Sequence, residues 1–215
     1  RKCIKISIEK IPAKALVLVI GSAMLFGIYP AASQMAYRAG ANAAVVIVFT
    51  TFARALFQLV LCFVQNKKVL PQPNRVGVIA SAGFFQALSI VGILASLQYI
   101  SAPVTVTIVF THTMMLFLYS AYRREVALQS STILSIIFAL LGVTLVVDLW
   151  GNHDSSSYLG ISLAIMAAIA SAVRMYLFGR QLQSENPAIV GAQVMTVSFL
   201  FTLLLLLYQA PIFPQ

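Results

Sequence analysis

The chain has 215 residues, of which 60% are hydrophobic and only 9% are charged. Soluble domains carry about 25% charged residues, so this composition excludes a soluble domain and indicates an integral membrane protein. The formal net charge of +9 could suggest a nucleic-acid partner, but the positions of the basic residues argue against that class.

Seven apolar runs follow a basic N-terminal tail along the chain. Each run is long enough for a helix to cross a hydrocarbon core of about 30 Å. We predict helices rather than strands, because an open sheet cannot satisfy its backbone hydrogen bonds in lipid. In chain order, the predicted spans are 15–36, 42–64, 76–97, 103–122, 132–147, 158–179 and 188–208.

The basic residues predict the orientation of these spans. The tail holds five Lys and Arg, and the loops after the second, fourth and sixth spans hold three, two and one. If the tail is inside, only Arg38 lies outside, whereas Arg54 and Arg174 lie within spans. This asymmetry follows the positive-inside rule. We therefore expect a multi-pass protein of the plasma or bacterial inner membrane, with a cytoplasmic N-terminus and no nucleic-acid partner.

The first run has one alternative interpretation, as the hydrophobic region of a cleaved signal peptide. Basic residues precede it, and Ala31-Ala32-Ser33 resembles a cleavage site. Its length and the further spans downstream favour a retained membrane span.

No residue pattern predicts catalysis, a metal site or a cofactor. Cys3 and Cys62 match no disulfide framework and no metal-ligand spacing. His153 and Asp154 are adjacent in a polar loop, but a metal site needs more ligands than this pair. We therefore expect that the protein is not an enzyme.

The stretch from Leu97 to Val147 resembles the EamA-type drug/metabolite transporter superfamily. The matching residues are Tyr99, Ser101 and Ala102 before the fourth span, Glu125 in the turn after it, and Gly142 and Val143 late in the fifth span. The chain departs from the family pattern at two positions. Arg124 precedes Glu125 where the family often has glycine, and His112 stands where many members have proline.

This resemblance implies a transporter of a small metabolite or drug that works by alternating access, and we expect an exporter. It also implies ten helices in two five-helix units. An odd number of spans per unit makes the second unit inverted in the membrane, which is a common plan among transporters.

A short internal similarity agrees with two units. The segment 42–46, NAAVV, resembles the segment 186–190, NPAIV, although chance similarity between apolar helices is the alternative. We predict a basic tail (1–14), a five-helix unit (15–150) and two helices of a second unit (151–215). Because the chain begins at Arg1 without Met and stops just after an apolar run, we expect a fragment of a ten-helix protein.

Six polar side chains within the spans are candidates for substrate binding: Tyr29, Gln34, Arg54, Gln86, His112 and Gln193. Arg54 is the strongest, because a charge at mid-membrane costs about 2.5–3.5 kcal/mol on insertion scales and usually faces a cavity or a partner. The resemblance supports it, since the family often has arginine in its second span. The alternative is that Arg54 braces the bundle through backbone carbonyls.

The other candidates have competing structural interpretations. His112 could change its charge during transport, but we favour a neutral histidine bonded to a neighbouring helix. Gln86 could join helices through hydrogen bonds. Arg174 is expected to extend to the membrane surface. Gly160, Ala164, Ala168 and Ala172 recur every four residues, which predicts a close helix-packing face.

Two rival classes fit less well. A seven-span receptor matches the span count, but such receptors keep the N-terminus outside. An intramembrane metalloprotease would need the HExxH motif, which the sequence lacks. We therefore predict an all-α polytopic transmembrane bundle. Its expected partners are the lipid bilayer, a small-molecule substrate and, as an option, a second copy in a homodimer.

Overall fold

The computed structural model describes residues 13–65, 73–123, 155–181 and 186–208, together with Leu134, Phe138, Leu141 and Gly142. Within these residues the chain forms six long α-helices and one short 3-10 turn, Pro73–Arg75, and no strand. The helices are α1 (Ala13–Arg38), α2 (Ala43–Val64), α3 (Val76–Ser96), α4 (Ala102–Tyr122), α5 (Ser155–Gln181) and α6 (Pro187–Tyr208). The prediction of an all-α helical bundle is confirmed.

The helix bounds agree with six of the seven predicted spans to within three residues. The largest difference is at α5, which begins at Ser155, inside the polar loop predicted before the sixth span. Serine is favoured at helix starts, so a run of serines extends this helix beyond its apolar part. Among the described residues, five stretches are long and apolar enough to cross a membrane: Ala43–Val64, Val76–Ser96, Ala102–Tyr122, Tyr158–Gly179 and Pro187–Leu204.

The fifth predicted span, 132–147, lies outside the described residues except for Leu134, Phe138, Leu141 and Gly142, which are helical. α4 and α5, the described helices that precede and follow this span in the sequence, are parallel to each other. Ile108 of α4 packs near Ala164 of α5, and the ring of Tyr119 lies 5.0 Å from that of Tyr176 further along both helices. The end of α4 and the start of α5 therefore lie at opposite ends of the bundle, as a crossing between them requires.

Local sequence signals determine the turn between α1 and α2. Gly40 has φ of 96°, a left-handed conformation that glycine adopts without strain. The N–H of Ala41 donates to the carbonyl of Ala36 (3.1 Å), which closes the end of α1. Asn42 then caps α2, because its Oδ1 accepts from the N–H of Val45 (3.1 Å). The chain thus reverses within four residues.

Helices that are neighbours in space are mostly not neighbours in sequence. α3 packs most extensively against α5 and α6; α6 also packs against α2, and α5 against α4. The order across the bundle is therefore α2, α6, α3, α5 and α4, with α1 in limited contact with α2 and α4. α3 is the most buried of the five candidate spans.

α2 and α6 pack against each other in opposite directions. The hydroxyls of Thr51 and Thr202 are 2.9 Å apart, and the thiol of Cys62 donates to the carbonyl of Ala188 (3.3 Å). The residue numbers of the contacts rise along α2 while they fall along α6, so the two helices are antiparallel. Buried hydroxyl pairs of this kind join helices in membrane bundles.

Small residues allow α3 and α5 to approach closely. A Cβ atom added at Gly92 would lie 2.8 Å from the carbonyl oxygen of Leu163, so only glycine fits there. Gly160, Ala164 and Ala168 are buried and Ala172 is half-buried, which confirms most of the predicted packing stripe. Lipid provides no hydrophobic driving force for helix association, so close backbone packing stabilises the contact between α3 and α5 instead.

The outer faces of the helices carry large apolar side chains. Phe63 on α2 is 85% exposed, and Phe49, Phe138 and Leu200 are also exposed. A soluble protein rarely leaves so many large apolar groups in water, whereas lipid solvates them. The chain is an integral, multi-pass membrane protein.

Candidate functional site

A cavity of about 680 Å³ opens between the six described helices. Its volume lies within the range of small-molecule sites in proteins. Every described helix contributes to its wall, which consists of Tyr29, Arg54, Phe57, Gln58, Gln86, Ser89, Ile90, Ile93, Val109, Phe110, His112, Thr113, Ser171, Arg174, Met175 and Met195.

The cavity brings together four of the six predicted site residues, each from a different helix: Tyr29, Arg54, Gln86 and His112. The last three lie near the midpoints of α2, α3 and α4. The guanidinium carbon of Arg54 is 4.4 Å from the centre of the Tyr29 ring, which is a cation–π contact. These polar groups therefore converge near the middle of the bundle.

Polar atoms without hydrogen-bond partners are concentrated at this cavity. Among the described residues, five buried side-chain atoms have no such partner: Tyr29 Oη, Gln86 Oε1, His112 Nε2, Arg174 Nε and Ser198 Oγ. The first four belong to residues that line the cavity. Since buried polar groups are normally hydrogen-bonded, this concentration marks the cavity as a place where a polar ligand finds partners.

The hydrogen bond of His112 differs from the one we favoured from the sequence. Its Nδ1 lies 2.6 Å from the carbonyl oxygen of Val109, one turn earlier on the same helix, rather than next to a group of a neighbouring helix. A carbonyl oxygen only accepts, so Nδ1 carries a proton. Nε2 is then a hydrogen-bond acceptor without a partner among the described residues, and it belongs to a residue of the cavity wall.

Sequence reasoning missed the position of Arg174. We expected this side chain to extend to the membrane surface, but it lines the cavity, and its guanidinium carbon is 5.8 Å from the centre of the Phe178 ring. Arg174 lies at the cavity because the face of α5 that carries it packs toward α3 and α4 rather than toward lipid. One signal was present, since Arg174 is one turn from Ser171 on the same helical face.

Two further polar residues of the wall were also missed. Gln58 follows Arg54 by four residues, and Ser89 follows Gln86 by three, so helical periodicity places each beside a predicted site residue. The hydroxyl of Ser89 is 2.7 Å from that of Ser171, which links α3 to α5 at the wall.

The remaining two predicted site residues do not line this cavity. Gln34 lines a smaller cavity of about 380 Å³ with Tyr37, Arg38 and Gln98. Gln34 follows Tyr29 by five residues, so the two side chains lie on different faces of α1 and more than one turn apart along its axis. Gln193 is buried on α6, two residues before Met195 and thus on nearly the opposite face.

The wall of the cavity is positively charged. It contains Arg54 and Arg174, and no described residue of the wall is acidic. The five acidic residues of the sequence, Glu9, Glu125, Asp148, Asp154 and Glu185, all fall outside the predicted spans. In the described ranges, no group of three or more His, Cys, Asp or Glu side chains could hold a metal ion, and the His153–Asp154 pair lies outside those ranges.

Comparison with known proteins gives one match. The family model of the EamA-like transporter family matches residues 13–148, which is more than half of the chain. No curated protein and no solved structure matches the chain.

Proposed function

Because the chain belongs to the EamA-like transporter family, we propose that its cavity binds a small metabolite or drug and releases it on the other side of the membrane by alternating access. Members of this family are transporters rather than enzymes. One observation carries the proposal: four polar residues from four helices line one cavity near the middle of the bundle.

The position of the cavity suits alternating access. Helices from both halves of the described chain form its wall, α1 to α4 on one side of the sequence and α5 and α6 on the other. A rocking movement of one half against the other therefore changes which end of the cavity is open. The buried polar atoms of the wall give a bound substrate its orientation.

We also propose that α5 and α6 begin a second unit, inverted relative to a first unit of residues 15–150. Two features of α2 and α6 support this. The helices are antiparallel, and each follows an asparagine whose side-chain oxygen accepts a backbone N–H of the first turn, Asn42 from Val45 and Asn186 from Ala188. These asparagines head the two similar segments of the sequence.

The test is transport by the full-length protein in liposomes and in cells, against a panel of metabolites. We expect saturable flux of at least one compound, with efflux from loaded cells faster than uptake, because we propose export. Absence of saturable flux for every compound in both directions would contradict the proposal.

Two threonines of α4 provide a matched pair of variants. Thr113 lines the cavity and Thr107 does not, although each hydroxyl donates to a carbonyl of its own helix at 2.8 Å. Thr113→Trp should block transport by filling the cavity, whereas Thr107→Trp should leave it unchanged. Equal transport by the two variants would show that the substrate does not pass through this cavity.

A further inference from the structure

We propose that the ligand of the cavity is an organic anion with an apolar body, and that Arg54 and Arg174 bind its negative charge. This inference rests on the proposed function for its link to transport, but it concerns ligand chemistry that the family does not determine. The argument has three parts: the charge of the wall, the donors that the wall offers, and the apolar surface around them.

The charge of the wall is not balanced by any described residue. Two guanidinium groups face the cavity, and the described ranges contain no aspartate or glutamate. Arg54 contacts an aromatic ring and Arg174 lies near another, but a ring leaves the net charge of the site unchanged. Charges at membrane depth are costly unless they are paired. An anion in the cavity would supply the missing charge.

The donors of the wall suit a carboxylate or a phosphate. A guanidinium group presents five N–H donors in a planar fork that matches both groups. Nε of Arg174 is buried and has no hydrogen-bond partner in the described part of the chain, so at least one of these donors is open to a ligand. The hydroxyl of Tyr29, likewise without a partner there, is a further donor beside Arg54.

The rest of the wall indicates the body of the ligand. Phe57, Phe110, Met175 and Met195 come from four different helices and give the cavity an apolar lining. Thioether and aromatic side chains adapt to varied apolar shapes. A ligand that combines one anionic group with an apolar body therefore matches the wall, whereas a cation would meet two like charges.

Binding of matched probes to the purified full-length protein in nanodiscs tests this inference. One set is phenylacetate, phenylacetamide and phenethylamine, and a second is indole-3-acetate, indole-3-acetamide and tryptamine. Within each set the body is constant and only the charge changes. We expect each carboxylate to bind about tenfold or more tightly than its amide and its amine. Equal or tighter binding of the amide or the amine, or no saturable binding of either carboxylate, overturns the proposal.

Variants identify the charge responsible. Arg54→Gln and Arg174→Gln should each weaken carboxylate binding about tenfold or more and leave amide binding unchanged. Arg123→Gln removes the same charge from the exposed end of α4, outside the cavity wall, and is the control. If a glutamine variant does not fold, the lysine variant keeps the charge without the fork and should bind the carboxylates with intermediate affinity. Wild-type affinity in folded glutamine variants contradicts the assignment.

Two further comparisons separate the alternatives. The same arginines could hold the phosphate of a lipid headgroup, so the measurement is repeated in nanodiscs with added phosphatidylglycerol. Loss of carboxylate binding there, but not in zwitterionic discs, would assign the arginines to lipid and overturn the proposal.

Transport measurements separate this inference from the proposed function. Transport of neutral or cationic compounds alone would refute the proposal of an anionic ligand and support the proposal of a transporter. Arginine-dependent anion binding without any flux would support the anionic ligand and contradict the transporter.

Discussion

Arg54 and Arg174 illustrate how single side chains determine the chemistry of this bundle. Both occur within apolar runs, and both line the same cavity with an aromatic ring within 6 Å of the guanidinium carbon. Because a guanidinium group stays charged in proteins, each residue keeps a positive charge at membrane depth. Their contribution should therefore appear in ligand binding rather than in folding.

Replacing Arg54 with leucine separates these two contributions. The substitution removes an insertion cost of about 2.5–3.5 kcal/mol, so Arg54→Leu should reach the membrane at least as well as the wild type. Transport per folded molecule should nonetheless fall about tenfold or more, because the charge that we propose to bind the ligand is lost. Arg54→Lys should restore only part of it, since an ammonium group lacks the planar fork.

Protein level, melting temperature and transport are measured in one preparation, with Arg123→Leu at the exposed end of α4 as the control. If Arg54 only braced the bundle, the melting temperature would fall and transport would fall in proportion to folded protein. Full transport per folded molecule in Arg54→Leu would remove this residue from the site.

At the scale of elements, α3 is the helix on which the bundle depends. It lies between α5 and α6 and contacts both through glycines. Gly92 faces the backbone of α5 at Leu163, and Gly83 faces Val197 of α6, where an added Cβ would be 2.5 Å from Cγ1 of the valine. Side chains at these two positions would force the helices apart.

Two glycines of α3 allow a controlled measurement. Gly92→Ala places a methyl group against the backbone of α5 and should lower stability by about 1–3 kcal/mol. Gly77→Ala meets nothing within 4 Å, so it should be neutral or stabilise the helix by up to about 1 kcal/mol. Melting temperatures of the two variants in detergent decide the matter. A Gly92→Ala protein as stable as Gly77→Ala would mean that the α3–α5 contact is looser than described.

At the scale of the whole molecule, the helix directions agree with an alternating path through the membrane. α2 and α6 are antiparallel, whereas α4 and α5 are parallel. This pattern agrees with the fifth span that the sequence predicts between α4 and α5. Helix packing alone leaves open which end of the bundle faces the cytoplasm, and the distribution of Lys and Arg makes that prediction.

Cysteine labelling tests the predicted orientation. In a Cys3→Ser background the remaining Cys62 is buried, so the parent protein should not react. An impermeant reagent applied from outside should label His153→Cys and should not label Lys67→Cys, because eleven basic residues are predicted inside against one outside. The reverse pattern would refute the orientation with the N-terminus inside.

The sequence alone determined where the helices lie and which polar residues they carry. An apolar run of about 20 residues in lipid must be helical, since no other open structure satisfies its backbone. The bounds of six predicted helices are therefore confirmed within three residues. Arg54, Gln86 and His112 also stand out in sequence, because polar groups near mid-membrane are costly.

Only the tertiary structure decided which helices meet and which side chains share the cavity. α5 and α6 pack between helices that precede them, and this brings Arg174 to the cavity wall while leaving Gln34 and Gln193 away from it. The reason is that lipid is as apolar as the helix surfaces, so hydrophobicity does not choose partners. Shape does, through close contacts such as Gly92 against Leu163 and hydroxyl pairs such as Thr51 with Thr202. These contacts join residues far apart in sequence, so a local pattern such as the small-residue stripe of α5 predicts a packing face but not its partner.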